Sequence, residues 1–262
     1  MTPQQIEQAA TVLWQAFCQG DAIAALPENA IPRGRADGYA VQQALARLSG
    51  QQAYGWKIAA TSTSGQNHIG VDGPLGGRLF LNRVLPMSLP ISLTGNRMKL
   101  GEAEFAFRMA ADLPARGNPY DLDEVMAAVG ALYPAIELPD SRYENCQTVG
   151  APSLIADFAC AHQFILGDEV KSEWRGMNLS TCRVNVTCND AALCEGVGSN
   201  VLGDPRIALT WLANELNAYG LALRAGETIT TGTCVIPFTL EVGNRYTADY
   251  GALGSMTISF KT

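Results

Sequence analysis

The amino-acid sequence predicts an α+β fold, with a small helical N-terminal part set on a larger, strand-rich core. Three observations carry this. Apolar residues recur at helical spacing near the start and in two later segments. Most of the remaining chain after Tyr54 alternates as half-buried strands do. Glycines and prolines cut that part into short elements. With 262 residues, 47% hydrophobic and 16% charged, the chain can bury a core without staples. Residues 1–52 form the predicted helical region and residues 53–262 the β-rich catalytic core.

Thr2-Pro3 reads as an N-cap followed by proline at the first helical position. Ile6, Ala10, Leu13 and Phe17 then keep one face, and Gly20 stops the helix. A second helix is expected over Gly38 to Leu48, ending at Ser49-Gly50. The segment from Ile69 to Phe80 holds too much glycine and proline for a helix. Glu102 to Met109 alternates as a strand. A helix over Leu122 to Ala131, with Asp121 as its cap, precedes a strand at Tyr133-Pro-Ala-Ile-Glu-Leu. Asn189-Asp190 joins two strands as a hairpin turn. Asp204 to Gly220 is a helix with proline in its first turn, and several short strands divided by glycines finish the chain.

The formal charge, 18 minus 25 or −7, argues against a nucleic-acid partner. No stretch is apolar enough to span a bilayer, and the N-terminus lacks the pattern of a signal peptide. Seven cysteines without a CxxC pair predict neither a disulfide framework nor structural zinc, and suit a reducing cytoplasm. Cys182, Cys188 and Cys194 recur every six residues and read as small apolar side chains on strands.

Glu102 and Glu104 lie two apart in a strand, so both carboxylates face the same way while Ala103, Phe105 and Phe107 face the other. Two like charges on one face repel unless a cation lies between them. Glu137 adds a third carboxylate inside an apolar run, where a charge needs a partner or a metal. Three carboxylates suit a hard cation, Mg²⁺ or Mn²⁺. The competing reading has Glu102 and Glu104 facing solvent and pairing with Lys99 or Arg108. Lys57 sits in an apolar stretch, where a depressed pKa would fit it for acid–base work; the alternative is a lysine reaching to water from a strand edge. The loop from Gly70 to Gly77 is placed to close over a ligand, with Asp72 or Arg78 reaching in, or else it is a plain surface connection. His68 and His162 lack a second histidine at metal spacing, and no nucleophile elbow or phosphate-binding loop occurs.

Several strings, in this order, carry a family resemblance. They are Gly55-Trp-Lys-Ile, Gly70-Val-Asp-Gly-Pro, Glu102-Ala-Glu-Phe-Ala, and Pro134-Ala-Ile-Glu-Leu with Ser141-Arg142. Ile155-Ala-Asp, Gly198-Ser-Asn-Val-Leu-Gly-Asp-Pro and Thr231-Gly-Thr follow. Together they resemble the fumarylacetoacetate hydrolase superfamily, on the branch of the 2-keto-4-pentenoate hydratases and 4-oxalocrotonate decarboxylases. The resemblance implies a mixed β-roll core of the fumarylacetoacetase C-terminal type, a divalent metal and a homo-oligomer. It maps the metal onto Glu102, Glu104 and Glu137, and acid–base work onto Lys57 with Asp72. It extends substrate contact to Arg78, Ser141, Arg142, Phe158, Cys160, Ser199, Thr231, Gly232 and Thr233.

The implied function is that of a metal-dependent lyase on a small anionic 2-oxo or 2-hydroxy acid, hydratase-like, of aromatic-compound catabolism. A 2-oxo acid decarboxylase, a C–C bond hydrolase of the acylpyruvate type, and a non-catalytic metal-binding accessory protein stand as alternatives. The branch usually carries an acidic residue where Leu75 stands, and an Asp-Asn-Ala-Ser string where this chain has Asp157-Phe-Ala-Cys. These departures, with His162, lie where substrate and water would be handled and leave the exact reaction open.

Overall fold

The computed structural model describes residues 1–261. Two helices lead, α1 (Pro3–Gln19) and α2 (Arg35–Ser49). They are followed by β1 (Ala53–Ala59), α3 (Thr63–Ile69), β2 (Leu75–Phe80), β3 (Ile91–Ser92) and β4 (Leu100–Met109). The middle of the chain forms α4 (Leu122–Ala127), β5 (Val129–Leu138), α5 (Gly150–Ala156) and β6 (Gln163–Leu166). Next come β7 (Arg183–Cys188), β8 (Ala191–Val197) and α6 (Pro205–Ala218). The last strands are β9 (Thr228–Thr233), β10 (Phe238–Thr239), β11 (Arg245–Asp249) and β12 (Ser255–Lys261).

The strands build two sheets. One runs β2-β1-β9-β4-β5-β6, with β10 added against β4; the other runs β3-β12-β11-β7-β8. In the larger sheet β1 is parallel to β9 while the other neighbours are antiparallel. The mixed sheets with helices against them bear out the predicted α+β class.

Strand alternation divides the core. Ala103, Phe105, Phe107 and Ile136 join the second sheet and α6 in one apolar cluster. Ala106, Tyr133, Ala135 and Phe164 point the other way and pack under α1 and α2. The N-terminal helices therefore cover the same face of the sheet that carries Glu102, Glu104 and Glu137.

The end signals of the helices work as expected. Thr2 caps α1 in a reciprocal pair with Gln5, and Gly20 closes it in the left-handed region. Asp204 caps α6. Asn189 and Asp190 both take positive φ, 50° and 69°, as a tight hairpin turn requires.

Three boundaries differ from expectation. The helix predicted to Ala131 ends at Ala127, because Val129 and Ala131 pair with Met109 and Arg108. Sheet pairing there outcompetes helix propensity. The glycine-rich segment contains β2, whose Gly77 has no room for a side chain: a Cβ would overlap the Phe158 carbonyl. Helix α3 carries no buried residue, so it left no apolar periodicity to read.

Candidate metal centre

Glu102 is paired directly with Glu137 across β4 and β5, and Glu104 is two residues further along the same face. Carboxylate oxygens of all three lie within 4.8 Å of one another. Glu104 and Glu137 are fully buried; Glu102 is half-buried and opens the cluster to solvent. Among the described residues, neither Glu102 nor Glu104 forms an ion pair with Lys99 or Arg108, so the competing solvent-facing reading fails.

The third neighbouring strand holds Glu104. Glu104 pairs with Thr233 and Ala106 with Thr230, so β9 carries one extra residue between these pairs. That bulge puts Gly232 at φ 99°, in a site where a Cβ would strike Thr61. It turns the Gly232 N–H onto Glu104 Oε2 at 2.6 Å, and the Thr230 hydroxyl donates to the same oxygen. Glu104 Oε1 and Glu137 Oε1 are buried without a hydrogen-bond partner. Buried acceptors left unmet, converging with a third carboxylate, fit a hard divalent cation.

Lys57 belongs to this group. Its Nζ lies 2.8 Å from Glu137 Oε2 and donates to the Ala159 carbonyl at 3.1 Å. The expectation of a depressed pKa is corrected. Burial pulls it down, but Glu137, Glu102 and Glu104 together raise it above the ordinary lysine value. In the metal-free protein the ammonium form is therefore favoured.

The Ala159 carbonyl is aimed at Lys57 by an unusual turn. Phe158, Ala159 and Cys160 all take positive φ, at 52°, 49° and 63°. For residues with a Cβ this costs roughly 1–2 kcal/mol each. The turn is seated on Gly77, the cross-strand partner of Lys57, and by the Phe80–Phe158 edge contact at 5.0 Å. Strain of this kind collects where geometry must be held for chemistry. Phe158 is buried there as packing. Cys160 is half-buried, and the interaction of the two thiols lowers Cys146 to about 7 and raises Cys160.

Burial first, then repulsion from Glu102, pushes Glu104 up to about 8, and Glu137 is also raised. A carboxyl raised in the folded state binds protons that the unfolded chain has released. Its contribution is fully present below the unfolded value and is lost as pH rises through the folded one. The metal-free protein is therefore expected to lose stability from about pH 4.5 to about pH 8. Urea midpoints across that range will check this. Glu104→Gln should flatten the profile.

Other predicted residues fall around this centre or away from it. Arg78 is cross-strand from Trp56, on the face opposite Lys57, and binds Glu227 Oε1 at 2.5 Å while lying 4.0 Å from the Trp56 ring. It is not brought to the carboxylates, because strand alternation turns it away. Asp72 is exposed on the loop between α3 and β2, and Leu75 is fully buried.

Arg142 is buried and donates to the Asp140 and Ala161 carbonyls at 2.9 and 3.0 Å. It also binds the Asp157 carboxylate and carbonyl. Ser141 Oγ donates to Asp157 at 2.9 Å. These side chains brace the loop after β5. Arg142→Met is expected to cost about 3–5 kcal/mol of stability by stranding a buried Asp157 charge. Denaturant unfolding measures it.

Thr231 donates to the Phe105 carbonyl and Thr233 to the Val235 carbonyl, each at under 3 Å (2.9 and 2.8 Å). Their hydroxyls are committed, and the working donor of this string is the Gly232 N–H. Ser199 is exposed on the turn Gly198–Asn200, whose neighbour Leu202 donates to the Thr61 carbonyl. Thr230, Thr61 and Cys146 were not singled out by the sequence. The signal for Thr230 is a polar residue two before the glycine on a buried strand; the others carry no local signal.

No family model matches the chain. A 2-keto-4-pentenoate hydratase of Paraburkholderia xenovorans is 31% identical over 265 residues, covering 100% of this chain and 97% of the relative. A 2-hydroxyhexa-2,4-dienoate hydratase of Comamonas testosteroni is 28% identical over 262 residues, covering 98% of each. Among solved structures, 4-oxalocrotonate decarboxylase from Pseudomonas putida G7, complexed with magnesium and adipate, superposes with a TM-score of 0.88. It is 28% identical, and the match covers 99% of this chain and 98% of that one. With identity of this level running end to end over a shared fold, the chain belongs to the 2-keto-4-pentenoate hydratase family, whose fold the 4-oxalocrotonate decarboxylase shares.

Proposed function

We propose that this protein is a divalent-metal-dependent lyase that hydrates a small 2-hydroxydienoate, such as 2-hydroxypenta-2,4-dienoate, in the breakdown of aromatic compounds. The observation that carries it is the buried Lys57–Glu137 pair beside Glu104 and half-open Glu102. The hydratase relatives and the magnesium in the similar decarboxylase support the same reading. Glu102, Glu104 and Glu137 would hold Mg²⁺ or Mn²⁺, which would offset the carboxylates and stabilise negative charge developing on the acid.

The protein's own groups do the rest. Glu104 is oriented by Gly232 and Thr230. Lys57 Nζ, held by Glu137 and Ala159, keeps an N–H to give to the substrate's carbon chain as a general acid. The buried walls around Leu75 and Phe158 keep bulk water from the reacting atoms.

A second reading, decarboxylation of a 4-oxalocrotonate-like acid, is favoured by one feature. Leu75 supplies no carboxylate to activate water, and the nearby Asp72 is exposed. C–C hydrolysis of an acylpyruvate meets the same objection, since it also needs an activated water. A non-catalytic metal-binding role would be ruled out by any metal-dependent turnover at an enzyme's rate.

The deciding experiment follows the ultraviolet absorbance of 2-hydroxypenta-2,4-dienoate and of a 2-oxohexenedioate with magnesium or manganese present. Loss of the dienol with gain of one water supports hydration. Release of CO₂ from the second acid, with the first untouched, moves the assignment to decarboxylation. A homo-oligomer in the cytoplasm fits the exposed Leu193, Ile236 and Val242 and the seven free cysteines, and light scattering tests the assembly.

A further inference from the structure

A second cluster of charge lies apart from the carboxylates, at the C-terminal end of α1. The Phe17 ring is its hub. The Arg83 guanidinium lies 4.4 Å from that ring's centre, the Arg142 guanidinium 5.5 Å, and the His162 ring 6.2 Å. Arg97 also acts on His162 by charge.

Three guanidiniums meet only two carboxylates. Asp157 is taken by Arg142, and Asp140 by Arg97, whose Nε is 3.8 Å away. Arg83 has no carboxylate within ion-pair distance among the described residues. Its one polar side-chain contact is Nη1 to His162 Nε2 at 3.4 Å.

The hydrogen-bond inventory gives the missing partner its chemistry. His162 is neutral, held down to about 3 by burial and by the three arginines. An arginine has only donors, so Nε2 must be the accepting nitrogen and the ring proton sits on Nδ1. His162 Nδ1 and Arg83 Nε are both buried without a partner. Two unmet donors beside an unpaired positive charge call for an acceptor that is negative. Cation–π contact with Phe17 stabilises Arg83 but satisfies no N–H. Arg83 and His162 are half-buried, so part of each side chain reaches solvent while Nε and Nδ1 themselves are covered.

We infer that Arg83 and His162, with Arg97 at the rim, form a binding site for a small oxyanion, separate from the carboxylate centre. The forked guanidinium takes two oxygens of the anion and His162 Nδ1–H a further one. The site does not depend on which reaction the carboxylate centre performs.

Sulfate is the probe. The protein is titrated by calorimetry with sodium sulfate in magnesium buffer, against sodium chloride at matched ionic strength. Saturable one-site binding is expected in the wild type. Arg83→Gln should weaken it at least about tenfold, through loss of a charge-assisted hydrogen bond. His162→Phe should weaken it about threefold or more through loss of a neutral one. Arg83→Lys keeps the charge over Phe17 and covers the case in which the glutamine variant unfolds; it should also bind more weakly. Glu104→Gln should bind sulfate as the wild type does, which separates this site from the metal centre. No saturable heat above the chloride control overturns the inference. So does an affinity unchanged in the folded Arg83 variants, or one lost in Glu104→Gln.

Discussion

Glu104→Gln is expected to lower metal-dependent turnover by about 10³-fold or more, equivalent to about 4 kcal/mol of transition-state stabilisation. Glutamine keeps the shape and an oxygen that accepts from Gly232 N and Thr230 Oγ1, so the fold should survive. It removes one of two fully buried, mutually repelling carboxylates. The metal-free variant should therefore melt higher than the metal-free wild type, by about 2–4 °C for each ~1 kcal/mol gained. The stabilisation that magnesium or manganese gives the wild type should be absent. Activity falls while apo stability rises, and simple misfolding cannot produce that combination. Steady-state kinetics and thermal melts with and without metal measure both arms. Retained turnover, or a melt still raised by metal, would remove Glu104 from the ligand set.

Lys57→Met is the second large effect. The thioether fills the same buried space without charge, and turnover should fall about 10²–10⁴-fold through the loss of a positioned general acid. Metal binding should persist, because Lys57 competes with a cation for Glu137 rather than helping it bind. The affinity measured by calorimetry should be equal or tighter. In the metal-free variant Glu137 loses its cationic partner, so its carboxyl rises further and the protein is least stable at high pH. The loss should fall on kcat more than on KM, since Lys57 acts on the proton and not on the chelated end of the acid. A variant with normal kcat would make Lys57 a structural counter-ion only.

Much of the metal centre was legible in the chain. E-x-E in an alternating strand places two carboxylates on one face whatever the fold, because the strand period is two. Glu137 stood out as a charge in an apolar run, and burial makes such a charge need a partner. The ends of α1, α6 and the β7–β8 hairpin followed from capping and turn residues that act over a few positions. The family resemblance then tied these local readings to one another.

What sequence could not supply came from residues far apart in the chain. Lys57 was read from its apolar neighbours as a lysine with a low pKa. Its true environment is set by carboxylates on β4 and β5, and their summed charge outweighs desolvation. Arg78 was read as reaching a ligand, but cross-strand register with Trp56 turns it to the other face. Arg142 carries no local sign of its partners, which are Asp157 and the carbonyls of Asp140 and Ala161. The left-handed Phe158–Cys160 turn has no glycine to announce it, and it persists because Gly77 leaves room beneath it. Periodicity and capping are encoded by neighbours in the chain, so the elements and the carboxylate face were in the sequence. Charge, proton affinity and donor satisfaction depend on every group within several ångströms, so those were decided only when the strands came together.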